Sequence, residues 1–98
     1  MKPILWTESA RADLRSIHAY IARDSRVYAQ RTIERLRKAV SRLRRFPGSG
    51  TSVHERDLPE LREILVGNYR VIYRHNTQYV EILTVVHAAR QLTDDAND

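Results

Sequence analysis

The side chains best suited to acid–base or phosphate chemistry lie in the second half of the chain: His54, Arg62, Glu63, Arg70, Arg74, His75, His87 and Arg90. Attack of a ribose 2′-hydroxyl on its own phosphodiester needs a base for the proton, an acid for the leaving oxygen and cations for the phosphate charge. A histidine changes charge near neutrality, and paired arginines can grip a phosphate bidentately. His87 with Arg62, Arg70 and Arg90 is therefore the set from which a nuclease could be built. The competing reading is structural. Arg62, Arg70 and Arg74 fall on neighbouring strands, where they could gather on one face or each pair with Glu60, Glu63 or Glu81. An exposed pair of that kind is worth only about 0–1 kcal/mol. Pairing is the expectation for Arg74, and a target- or partner-facing role is the expectation for Arg62 and Arg70. His87 closes a strand, where a hydrogen-bonded end residue is the commoner case.

Other chemistries find less support. His54, His75 and His87 have no close metal-ligand spacing, so neither a metal nor a cofactor is expected. Gly48-Ser49-Gly50 follows a helix instead of opening one, unlike a phosphate loop. Tyr69, Tyr73 and Tyr79 read as core and rim residues before they read as a base-stacking platform. His18 reads as a boundary residue of the first helix.

Charge is unevenly spread. Of 17 basic residues only Lys2 and Lys38 are lysines; residues 1–50 carry 12 basic and 4 acidic side chains, and residues 51–98 carry 5 and 8. A positive first half draws in polyanions, whether nucleic acid or an acidic protein. Most of that charge follows one pattern: Arg31, Arg35, Lys38, Arg42 and Arg45 recur at helical spacing. The stripe is either a contact surface for an acidic partner or DNA, or the solvated face of an amphipathic helix. No apolar run approaches the ~20 residues of a membrane span. The first residues do not read as a secretory signal. The absence of cysteine removes disulfides and thiolate metal sites and fits a reducing cytoplasm.

The elements that must position these residues are legible from periodicity. Lys2 to Trp6 is a short extended segment, and Thr7 is a helix N-cap with Glu8 in the first turn. Ala10, Leu14, Ile17 and Ile21 form one helical stripe. Ser25 caps a second helix, whose stripe Ala29, Ile33, Leu36, Val40 and Leu43 runs for about 30 Å until Phe46-Pro47-Gly48 stops it. The two helices form an antiparallel hairpin. Thr51 to Pro59 reads as a loop. Leu61 to Val66, Tyr69 to Arg74 and Tyr79 to Val86 read as strands joined by turns at Gly67-Asn68 and at residues 75–78. The last strand does not alternate cleanly, as a doubly covered or bulged strand would not. The order β-α-α-β-β-β gives one α+β domain over residues 1–98, a helical hairpin on a small, mainly antiparallel sheet. Its core should span residues 4–92, with an acidic tail that frays.

In that order the residues resemble a known family. Trp6-Thr7, Ala12-Asp13-Leu14 with Ile17, and Tyr20-Ile21-Ala22 resemble the opening of ParE/RelE-type toxins, as does Leu43 with Phe46-Pro47. Leu61-Arg62, Tyr69-Arg70-Val71-Ile72-Tyr73-Arg74, and Ile82-Leu83 with Val85-Val86-His87-Ala88-Ala89-Arg90 resemble their three C-terminal strands. The resemblance implies a small bacterial toxin silenced by a cognate antitoxin, which wraps it with a C-terminal segment. Within the superfamily, RelE-like members cut messenger RNA in the ribosome and ParE-like members inhibit DNA gyrase. The RelE pattern draws on lysines of the sheet and a C-terminal tyrosine. Here neither lysine falls on that surface, and no tyrosine follows Tyr79. The ending His87-Ala88-Ala89-Arg90 matches the ParE pattern of a histidine, two spacers and an arginine. The resemblance therefore implies a gyrase inhibitor that stabilises plasmids. A ribosome-dependent endoribonuclease and a non-toxic binding module of the same fold are the alternatives.

Overall fold

A computed structural model of the chain describes residues 1–53 and 60–89. The first strand, β1 (Ile4–Trp6), leads into α1 (Glu8–Ala22) and α2 (Arg26–Ser41). After these come β2 (Thr51–Ser52), β3 (Arg62–Val66), β4 (Tyr69–His75) and β5 (Val80–His87). The five strands form one sheet in the order β1-β5-β4-β3-β2, antiparallel except that β1 runs parallel to β5. His54, Arg90 and the acidic tail expected to fray lie outside the described residues.

Both helices begin where their capping residues stand. The Thr7 hydroxyl accepts from the Ala10 N–H at 3.0 Å, and the Ser25 hydroxyl accepts from the Tyr28 N–H at 3.1 Å. Each bond satisfies one of the amide groups that a helix start leaves without a partner. The apolar stripes then meet the sheet. Ala10 and Leu14 of α1, with Leu36 and Val40 of α2, pack on Val71, Tyr73, Val80, Ile82 and Val85. Burying a side chain of this size contributes about 1.5–3 kcal/mol. A smaller cluster of Val53, Leu61 and Ile72 covers the opposite face of the sheet.

Two expectations are corrected. The second helix stops at Ser41 and tightens into a 3₁₀ turn over Arg42–Arg44, so it falls short of the expected length. That tightening turns Leu43 into the core before Pro47, whose preceding residue cannot stay helical. The loop expected from Thr51 contains a strand after all. Thr51 and Ser52 pair with Glu63 and Arg62, too short and too polar a strand to register as periodicity.

The last strand does carry a bulge. Ile72 faces Thr84 and Tyr73 faces Ile82, which leaves Leu83 without a cross-strand partner. The start of α1 stabilises this irregularity. Asp13 Oδ2 accepts from the Thr84 hydroxyl at 2.5 Å and from the Val85 N–H at 2.9 Å. The Thr7 hydroxyl donates to the Ile82 and Leu83 carbonyls at 3.0 and 3.1 Å. The turns are chemically specified as well. Gly67 takes a φ of +59°, which a two-residue hairpin loop requires and glycine supplies without strain. Asn76 Oδ1 accepts from the Gln78 and Tyr79 N–H groups at 2.7 and 2.9 Å.

Candidate functional site

Strand register decides which chemically capable residues can meet. Arg62 lies opposite Tyr73, and Arg70 lies opposite Leu65. Successive residues of a strand point to opposite faces, so Tyr73 and Arg70 project to different sides of β4 and carry their neighbours with them. Arg62 and Arg70 therefore stand on opposite faces, and the cluster that the sequence left open does not form. Arg62 donates from Nη1 to the Gly50 carbonyl at 2.9 Å. Arg70 is buried and donates from Nε to Glu63 Oε1 at 2.6 Å. Arg74 pairs with Glu81 at 2.8 Å, the arrangement expected for it.

His87 ends β5 on the helix-facing side, opposite Tyr69, whose ring it meets edge-on at 5.6 Å between centroids. Its Nδ1 accepts from the Ala89 N–H at 3.2 Å. Burial pushes the Tyr69 hydroxyl above its usual range, and the neighbouring Tyr28 and Tyr20 add to the shift. His75 sits near the other end of β4. Desolvation and then the cations of Lys2 and Arg62 hold its imidazole below the usual range.

The connection from α2 to the sheet is held by one buried hydroxyl. Tyr73 Oη accepts from the Gly50 N–H at 2.9 Å and donates to the Pro47 carbonyl at 2.7 Å. Burial raises its pKa, which keeps the donor proton in place. No side chain fits at Gly50, because a Cβ there would lie 2.6 Å from both Tyr73 Oη and the Glu63 carbonyl oxygen.

One concavity was not foreseen. A groove of about 530 Å³ opens between the helices, floored by Trp6, Leu14 and Ile33 and rimmed by Arg11, Arg15, His18 and Arg37. The spacing of Arg11, Arg15 and His18 places them on one face of α1, and that was its only trace in the sequence. The basic stripe expected on the second helix is exposed at all five positions, Arg31, Arg35 and Lys38 on α2 and Arg42 and Arg45 just beyond it. Among the described residues no group of three or more histidine and carboxylate side chains is placed to hold a metal ion. None of their helices is long and apolar enough to cross a membrane.

Comparison with known proteins agrees with this architecture. The family model for the ParE toxin of type II toxin–antitoxin systems matches residues 4–92. Over 92 residues, 92% of each chain, the sequence is 37% identical to the Sinorhizobium fredii protein Y4kP. It is 36% identical over 91 residues to the toxin RelE2 of Caulobacter vibrioides, covering 92% of this chain and 99% of that one. Among solved structures, the chromosomal ParDE system of Pseudomonas aeruginosa superposes with a TM-score of 0.74 at 20% identity, covering 89% of this chain and 96% of the other. The RelBE2 toxin–antitoxin complex of Mycobacterium tuberculosis gives 0.61 at 26% identity, covering 88% and 96%. With a hairpin on a bulged sheet, caps at Thr7 and Ser25, and a family match over nearly its whole length, the chain belongs to the ParE toxin family of type II toxin–antitoxin systems.

Proposed function

We propose that this toxin acts by binding DNA gyrase and arresting DNA replication in the bacterial cytoplasm, and that a cognate antitoxin neutralises it. One observation supports this reading above the others: among the described residues, those available for RNA cleavage are dispersed. Arg70 is buried against Glu63 on one face of the sheet, Arg62 holds the Gly50 carbonyl on the other, and His87 stacks edge-on against Tyr69 at the far end of β4. A phosphodiester could not touch all three at once, and cleavage needs its base and its cations within hydrogen-bond reach of one phosphate. Inhibition by binding asks only for a surface. The groove between the helices, with an apolar floor and a basic rim, suits an acidic amphipathic segment of the antitoxin.

The test is a supercoiling assay with purified gyrase and toxin, beside pulse-labelling of DNA and protein synthesis after induction of this gene alone. Supercoiling should be inhibited, and DNA synthesis should fall first. Supercoiling left untouched by a large excess of toxin refutes the gyrase assignment.

The second reading is a ribosome-dependent endoribonuclease, favoured by the similarity to RelE2. It predicts that protein synthesis falls first and that His87→Ala abolishes toxicity without unfolding the chain.

A further inference from the structure

We infer that the outer face of α2 is a binding site for the phosphate backbone of duplex DNA, formed by Arg31, Arg35, Lys38, Arg42 and Arg45 with Phe46 at its end. At 100° per residue the first four fall within an arc of about 60°, turned away from Leu36 and Val40, which face the core. Arg42 opens the 3₁₀ turn and Arg45 follows it, and the row spans about 20 Å. All five are exposed, and none is in an ion pair among the described residues. Like charges at this spacing destabilise a helix. The helix has only one acid, Glu34, and it too is unpaired.

The form of the site separates nucleic acid from an acidic protein. Protein hot spots need an apolar anchor shielded from water. Between Arg31 and Arg45 the flanking residues Glu34 and Ser41 are polar and exposed; the exposed apolar side chains Val27 and Tyr28 lie before the first cation and Phe46 after the last, and the apolar groove lies between the helices, on another side of α2. A straight row of unpaired cations with no apolar floor between its ends fits a linear polyanion, and a rigid helix fits a rigid one. Phe46 is 59% exposed directly after Arg45 and supplies an aromatic ring for a sugar or base at the end of the track. This site rests on the gyrase reading only for its setting, since gyrase works on duplex DNA and a toxin held there would meet it.

The experiment is fluorescence anisotropy of the purified full chain with a labelled duplex of about 20 base pairs, titrated with NaCl and without gyrase. Five phosphate contacts give a slope of about −4.5 in log K against log salt. The double variant Arg31→Gln/Lys38→Gln should lower its magnitude by about 2 and weaken binding at least about tenfold at 100 mM salt. Arg23→Gln/Arg26→Gln, which removes the same charge at the hairpin turn, should leave the slope unchanged, and Glu34→Gln should tighten binding. Circular dichroism checks that each variant folds. Equal losses in both double variants, no binding at about 50 mM salt, or tighter binding to single-stranded RNA of the same length would each overturn the site. Because gyrase is absent, failure here leaves the supercoiling result standing, and the reverse also holds.

Discussion

Tyr73 and Gly50 show how little freedom the α2–sheet connection has. The tyrosine is fully buried, and its hydroxyl is shared between the Gly50 N–H and the Pro47 carbonyl. Tyr73→Phe should cost about 1–3 kcal/mol in urea unfolding, because both backbone groups lose their partner away from water. Gly50→Ala should cost about as much through overpacking. Combining the two changes should cost less than the sum, since the phenylalanine removes one of the two oxygens that the new methyl group strikes. His75 gives the molecule a pH dependence. Its imidazole is held below its ordinary pKa when folded, so the unfolded chain binds the proton first as pH falls. Stability is therefore fully present above about pH 6.5 and declines on acidification through the folded pKa. His75→Gln should flatten that limb of a plot of unfolding free energy against pH.

At the scale of elements, α1 is tied to the bulge of β5 by one carboxylate. Asp13→Ala would strip the acceptor from the Val85 N–H and the Thr84 hydroxyl and should destabilise by about 1–3 kcal/mol; Asp13→Asn, which keeps an oxygen there, should cost less. A thermal melt of the two variants side by side checks the order. These elements also show what the sequence could reveal. The caps at Thr7 and Ser25, the helical stripes and the turns at Gly67 and Asn76 are local chemistry, readable from a few consecutive residues. The faces of Arg62 and Arg70 were not readable, because an isolated strand states its alternation but not its register against a neighbour. Only the pairing of Arg62 with Tyr73 fixes that parity. The groove escaped for a similar reason. Arg37 belongs to a different helix from Arg11 and Arg15, and the angle at which two helices pack is a tertiary fact. Strand β2 escaped because two polar residues carry no period.

At the scale of the whole molecule, the described sheet is closed by joining its earliest strand to its latest. β1 lies at the edge of the sheet beside β5, the last described strand in sequence, and the Val80 N–H donates to the Pro3 carbonyl at 3.0 Å. Deleting residues 1–6 would uncover the backbone of β5 and remove Trp6 from the core margin. The truncated chain should lose cooperative unfolding, seen as a collapse of near-ultraviolet circular dichroism and of amide dispersion in NMR spectra.

That closure also sets a clock. The earliest described strand needs the latest one: β1 has no strand beside it, and Asp13 has no bulge to hold, until β5 has been made. The sheet is thus completed only once β5 has left the ribosome, as long-range pairing generally waits for its later partner. Until then the folded domain does not exist, and whatever surface it offers a partner is not yet formed.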